Sequence, residues 1–144
     1  MSIPEVYTDT FEHAFDAKGR ITVPSEWRSE AHEKRLHVLP SQDGCLKVYP
    51  ASFLSNKARA LADAPISDPR RKSLEKLSRL AQLAECDQQG RIMIKPHNRT
   101  HANLSKQSVL VGCSDHFEIW DSERWKSHEE IPATLEELLR EAGL

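Results

Sequence analysis

From Tyr7 to Phe15 the chain alternates loosely, placing Tyr7, Asp9, Phe11, His13 and Phe15 on one face, the period-2 pattern of a strand. A short β-branched stretch with Arg20 at its first position, Arg20 to Val23, predicts the return strand. Pro24-Ser25 then opens a short helix over Glu26 to Glu33, with Ser25 as its N-cap. Leu36-His37-Val38-Leu39 and Cys45 to Tyr49 read as two further strands. They are joined by Ser41-Gln42-Asp43-Gly44, whose Asp-Gly suits a hairpin turn.

After Pro50 the period changes to that of helices. Ala51 to Ala64 carries Phe53, Leu54, Ala58 and Leu61 on one face, and Pro65 ends it. Asp68-Pro69 predicts an N-cap followed by proline at the first helical position. The helix it opens has Leu74, Leu77, Leu80 and Ala81 on one stripe. Near the other terminus, Asp121-Ser122 caps a short helix holding Trp125. Thr134-Leu135-Glu136-Glu137 is a capping box that opens a last helix, with Leu135, Leu138, Leu139 and Ala142 on its apolar side and Gly143 closing it.

Two stretches repeat. Asp16-Ala17-Lys18-Gly19-Arg20 runs into Ile21-Thr22-Val23, and Asp87-Gln88-Gln89-Gly90-Arg91 runs into Ile92-Met93-Ile94. Each predicts a tight turn, in which an aspartate bonds its own backbone and a glycine takes positive φ. The second follows the first by 71 residues, and the same offset pairs Arg28 with Arg99, Val38 with Val109, Leu39 with Leu110, Val48 with Ile119 and Tyr49 with Trp120. The chain therefore divides into a unit over 10–53, a helical linker over 54–80, a second unit over 81–124 and a helical tail over 125–144. Four short strands and one brief helix hold too few apolar side chains to close a core. Two such units complete each other by exchanging hairpins, which predicts an α+β, mainly β fold: a pseudo-twofold swapped-hairpin barrel displaying Arg20 and Arg91 as a pair.

Composition narrows the function. Charged residues make up 29% of the 144 and hydrophobic ones 38%, a polar-surfaced globular balance. No apolar run approaches the roughly 20 residues that span a bilayer, and Met1-Ser2-Ile3-Pro4-Glu5 lacks the regions of a signal peptide, so a cytoplasmic location is expected. A net charge of −2 argues against indiscriminate nucleic-acid binding, but the charge is uneven. Residues 55–81 hold seven Lys/Arg against three Asp/Glu, whereas 121–144 hold three against seven. Cys45, Cys86 and Cys113 show no C-x-x-C spacing, which favours reduced thiols over a disulfide framework or zinc site. His97 and His101 have a metal-compatible i, i+4 spacing with no evident third ligand. No nucleophile elbow, P-loop or H-E-x-x-H is present, so neither an enzyme nor a cofactor is expected.

Both Asp-x-x-Gly-Arg turns, Pro24 with Trp27-Arg28 after the first, the helical linker, Val109-Leu110-Val111-Gly112 and Phe117-Glu118-Ile119-Trp120 together resemble the MraZ family of bacterial transcriptional regulators. The resemblance covers nearly the whole chain. It implies the interlocked barrel of AbrB and SpoVT-type regulators, ring-shaped homo-oligomers and a nucleoid-associated protein. It also implies binding to double-stranded promoter DNA, at direct repeats before the division and cell-wall operon that contains the regulator's own gene, with repression the expected outcome. Carried over by position, DNA contact falls on Asp16, Lys18 and Arg20, and on Asp87 and Arg91. Gln89 replaces Lys18 in the second turn, one charge fewer toward a phosphate. Arginine suits base contact because its planar fork donates two bonds to guanine O6 and N7. Asp16 and Asp87 either hold those forks or simply build the turns. The alternative is an AbrB-like interaction module, antitoxin-like or scaffolding, whose acidic tail binds a protein.

Overall fold

The computed structural model describes residues 5–128 and 133–144. The amino-terminal Met1–Pro4 and, within the tail, residues 129–132 (including Glu129 and Glu130 of its acidic run) lie outside the described residues. Among the described residues, eight strands and five helices follow one another: β1 (Thr10–Ala14), β2 (Arg20–Thr22), a 3₁₀ turn (Ser25–Trp27), β3 (Arg35–Pro40), β4 (Leu46–Pro50), α1 (Ala51–Ala60), α2 (Pro69–Leu80), β5 (Gln82–Glu85), β6 (Arg91–Met93), α3 (Pro96–His101), β7 (Gln107–Gly112), β8 (Phe117–Asp121), α4 (Ser122–His128) and α5 (Leu135–Glu141). The fold is mixed α+β with antiparallel strands throughout. Among the described residues no helix is long and apolar enough to cross a membrane.

The strands form a six-stranded sheet in the order β1-β7-β8-β4-β3-β5 and a separate two-stranded ribbon, β2-β6. Strands from the two halves of the chain interleave. β1 pairs with β7, β3 with β5, β4 with β8 and β2 with β6. The barrel expected from the sequence does not close, because β1 and β5 are free edges of the large sheet. Each turn links its two strands by one ladder bond, Asp16 N to Arg20 O at 2.9 Å and Asp87 N to Arg91 O at 2.9 Å. Beyond it the strands part, as the ribbon strands pair with each other and β1 and β5 pair with β7 and β3.

The register corrects two of the expected pairs. Val38 opposes Val48 in the first hairpin, whereas Leu110 opposes Ile119 in the second. Val38 thus corresponds to Leu110, an offset of 72, while Val48 keeps 71 with Ile119. One extra residue enters before β7 and one is lost again between Gly112 and Phe117, where four residues replace the five between Pro40 and Leu46. A one-residue slip turns every side chain over, so the shorter turn preserves the core: Val38, Val48, Leu110 and Ile119 are all fully buried.

The helix expected over Glu26 to Glu33 contracts to the single 3₁₀ turn at Ser25–Trp27. Pro24 holds the cap position without a side-chain bond, and Arg28 leaves helical geometry at φ −124°, ψ 31°. Arg28 to Glu33 offers no apolar residue of any size to repay a longer helix, and Trp27 is drawn inward instead. Its indole donates to Thr8 O at 2.8 Å and packs with Tyr7, Phe11 and Phe117, at ring-centroid distances of 5.6, 5.3 and 4.8 Å. At the equivalent places in the other half, Gln82 and Asn98 replace Phe11 and Trp27. Gln82 Oε1 accepts from Asn98 Nδ2 at 2.9 Å and from Lys95 N at 3.1 Å, and its amide donates to Met93 O at 2.8 Å. One half of the core is closed by aromatic rings and the other by a buried amide pair.

β1 begins at Thr10, not Tyr7, because Asp9 takes φ +74° and breaks the alternation. α1 stops at Ala60, short of Ala64. The Asp68 cap forms as the sequence predicts, its Oδ1 accepting from Arg70 N at 2.9 Å. The Thr134 capping box forms too. α2 and α5 bury none of their residues.

Candidate nucleic-acid interface

Each Asp-x-x-Gly-Arg turn is built by its own carboxylate. Asp16 Oδ1 accepts from Lys18 N and Arg20 N, both at 2.9 Å, and its other oxygen accepts from Arg20 Nε at 2.7 Å. Asp87 repeats the pattern with Gln89 N, Arg91 N and Arg91 Nε, all at 2.9 Å. The backbone donor at the arginine, assisted by the guanidinium, holds both carboxyls below the usual aspartate range. The two roles left open for these aspartates coincide: one oxygen builds the turn and the other fixes the arginine.

Gly19 and Gly90 take φ +77° and +78°, a region costly for any residue with a Cβ. Their carbonyls tie the two turns to opposite strands, Gly90 O accepting from Val23 N at 2.8 Å and Gly19 O from Ile94 N at 3.0 Å. Arg28 and Arg99, paired in sequence by the 71-residue offset, each reach the other half. Arg28 donates from Nε to Val23 O at 2.7 Å and lays its guanidinium over Gly90, and Arg99 donates to Ile94 O at 3.0 Å and covers Gly19. A Cβ on Gly90 would stand 2.6 Å from Arg28 Cζ. Gly90→Ala is therefore expected to destabilise the chain by about 1–2 kcal/mol from the backbone alone, with displacement of Arg28 added, read as a lower urea midpoint at unchanged slope.

The ribbon sets the relation between the two arginines. Ile21 opposes Ile92, and both point into the core at 1% and 0% exposure. Alternation then puts Arg20, Thr22, Arg91 and Met93 on the outward face. Arg20 opposes Met93, and Arg91 opposes Thr22, so the arginines are diagonal neighbours with Cα atoms on the order of 8 Å apart. With Nε committed to the aspartate, each guanidinium presents its two terminal nitrogens outward, at side-chain exposures of 29% and 28%. Lys18 and Gln89 are exposed on the turns beside them. The face is not symmetric: Lys18 and Thr22 in one half stand where Gln89 and the half-exposed Met93 stand in the other.

Two cations of the basic 55–81 stretch are bonded within the linker. Arg70 is bonded to Asp68 at 2.8 Å, and Arg71 donates to Ala64 O at 2.8 Å. His97 is exposed and His101 lies 2.6 Å from Ser41 O. Cys45, Cys86 and Cys113 are free thiols, and burial pushes Cys45 up to about 12. The sequence reads the recurring Arg28 and Arg99 as caps or braces, and the structure supplies what each covers, the glycine of the opposite turn. Their signal was the shared offset, but the partners lie across the molecule.

Two segments of the chain, residues 6–75 and 78–138, match one family, described as "MraZ protein, putative antitoxin-like". A protein of Lactiplantibacillus plantarum named Transcriptional regulator MraZ is 41% identical over 133 residues, covering 89% of this chain and 92% of its own length. Proteins of the same name from Mycobacterium bovis and Mycolicibacterium smegmatis are 35% and 36% identical, covering 88% and 94% of this chain and 88% and 99% of their own. Regulating transcription is a non-enzymatic role. With family matches over both halves and relatives aligned along almost its full length, the chain belongs to the MraZ family.

Proposed function

We propose that this protein is a sequence-specific transcriptional regulator that reads double-stranded promoter DNA with the outward face of the β2–β6 ribbon. The observation that carries the reading is the pair of Asp-fixed arginines side by side on that face. A two-stranded ribbon fits the major groove, and a guanidinium whose Nε is already held offers its terminal fork to guanine O6 and N7 with little ordering left to lose. Each Asp–Arg pair is close to neutral overall, so phosphate attraction falls to Lys18, with no lysine in the second turn. One protomer then binds weakly. A ring-like homo-oligomer spanning direct repeats gains through effective concentration, and the protein acts as a cytoplasmic, nucleoid-associated repressor of the division and cell-wall operon containing its own gene. Within each ring the two halves of a protomer, 10–53 and 81–124, act as exchanged hairpins of the AbrB kind.

The test is a mobility shift on the DNA upstream of the protein's own gene. Binding is expected to need more than one repeat, and affinity to fall with salt at roughly 0.9 log–log units per neutralised phosphate. The second reading, an antitoxin-like interaction module, is favoured by the wording of the family description. It expects no salt-sensitive shift on that DNA, and that result would displace the first reading.

A further inference from the structure

The turn between β7 and β8 gathers a set of side chains that neither the ribbon nor the core explains. Cys113 Sγ, a ring nitrogen of His116 and a carboxylate oxygen of Glu118 all lie within 4.8 Å of one another. Their surroundings are arranged as those of metal ligands usually are. Asp115 Oδ1 lies 2.8 Å from His116 Nδ1 and Glu118 Oε2 lies 3.4 Å from Nε2, so the imidazole donates toward a carboxylate from each nitrogen, and the Nε2 proton occupies the place between Nε2 and Oε2 that a cation would take. The indole of Trp120 donates to Glu118 Oε1 at 2.9 Å, so the other oxygen of that carboxylate is the one turned to the cluster. Tyr49 stacks on the imidazole at 4.5 Å with an interplanar angle of 16°, fixing the ring. His116 and Glu118 side chains are only 12% and 15% exposed. The opposing charge is Lys47, whose Nζ lies 3.8 Å from Glu118 Oε2 on a side chain that is 35% exposed.

The repeat shows that the fold does not require this set. In the first half, Cys45 stands where His116 stands and Lys47 where Glu118 stands, so the corresponding hairpin has no imidazole and sets a cation where the carboxylate is. The set arises in the second half alone, on the hairpin shortened by one residue. Its spacing, Cys-x-x-His-x-Glu, lies outside the C-x-x-C pattern sought in the sequence.

We propose that Cys113 Sγ, His116 Nε2 and Glu118 Oε2 bind a divalent d-block cation, with the donor chemistry of Zn²⁺ and a fourth position open to water. A thiolate–imidazole–carboxylate set suits zinc and disfavours the hard cations magnesium and calcium, which take oxygen. Around tetrahedral zinc the donor atoms sit about 3.3–3.8 Å apart, so small side-chain shifts close the cluster. Binding releases the Cys113 thiol proton and the proton on His116 Nε2, and clamps the hairpin beside Tyr49 at the end of β4.

The experiment is a Co²⁺ titration of the full-length protein, followed by displacement with Zn²⁺. One equivalent of Co²⁺ per chain is expected, with a thiolate-to-cobalt charge-transfer band that Zn²⁺ abolishes. Cys113→Ser removes the band, Cys86→Ser leaves it, and Asp115→Asn, at an exposed outer position, keeps it while weakening binding about tenfold. Circular dichroism establishes that each variant is folded. No band with the wild-type protein, a band surviving Cys113→Ser, or one lost in Cys86→Ser would overturn the assignment and leave the cluster as a hydrogen-bonded network only.

Discussion

Arg20→Ala is expected to abolish specific DNA binding while leaving the unfolding midpoint almost where it was. A bidentate arginine–guanine contact is worth about 1–3 kcal/mol of discrimination. An oligomer engaging two repeats loses that amount at each, so affinity should fall by roughly 30-fold to more than 10⁴-fold. Stability is spared because the turn does not depend on the guanidinium. Asp16 Oδ1 keeps its bonds from the backbone of residues 18 and 20, and Gly90 O keeps Val23 N. Arg91→Ala tests the second turn in the same way. Lys18→Gln, which makes the first turn resemble the second, should instead weaken binding evenly across sequences and lower the salt slope by about 0.9 per protomer engaged. A mobility shift by Arg20→Ala equal to wild type would remove the ribbon face from consideration.

Trp27→Ala is expected to be the most destabilising single change, costing about 3–5 kcal/mol of a total that for such domains is about 5–15 kcal/mol. The loss has two parts. The ring, 2% exposed, fills the space between Tyr7, Phe11 and Phe117, and its removal leaves a cavity. The indole N–H also satisfies Thr8 O, which would be left without that donor. Asn98→Ala, the matching change in the other half, should cost less: Gln82 Oε1 retains the Lys95 N–H, and a smaller volume is vacated. Equilibrium urea unfolding of the two variants measures the difference, and equal midpoints would show that the aromatic cluster adds nothing beyond the amide pair.

That contrast between the halves was only partly readable beforehand. The offset of 71 residues identifies Trp27 with Asn98 and Phe11 with Gln82, yet side-chain identity alone does not say that the amides would be buried and bonded to each other. Likewise, Arg28 and Arg99 read from sequence as a recurring pair of caps or braces, but without their partners, because each acts on the turn of the opposite half. The expected Glu26–Glu33 helix failed for a related reason: Trp27 gains more from the core than the backbone gains from another turn of helix.

What the sequence by itself determined are the features whose bonds close within a few residues. The two Asp-Gly-Arg turns, the Asp68 cap with Pro69 behind it and the Thr134 capping box join groups no more than four positions apart, so residue type and spacing suffice. Tertiary structure alone decided the strand partners, the open edges at β1 and β5, the single-residue slip at β7 and the diagonal register in which Arg20 and Arg91, expected from the repeat as a pair, share one ribbon. Alternating strands of similar length are interchangeable as partners until packing selects among them. That selection is made by core side chains far apart in the chain, here Ile21 against Ile92 and Trp27 against Phe117.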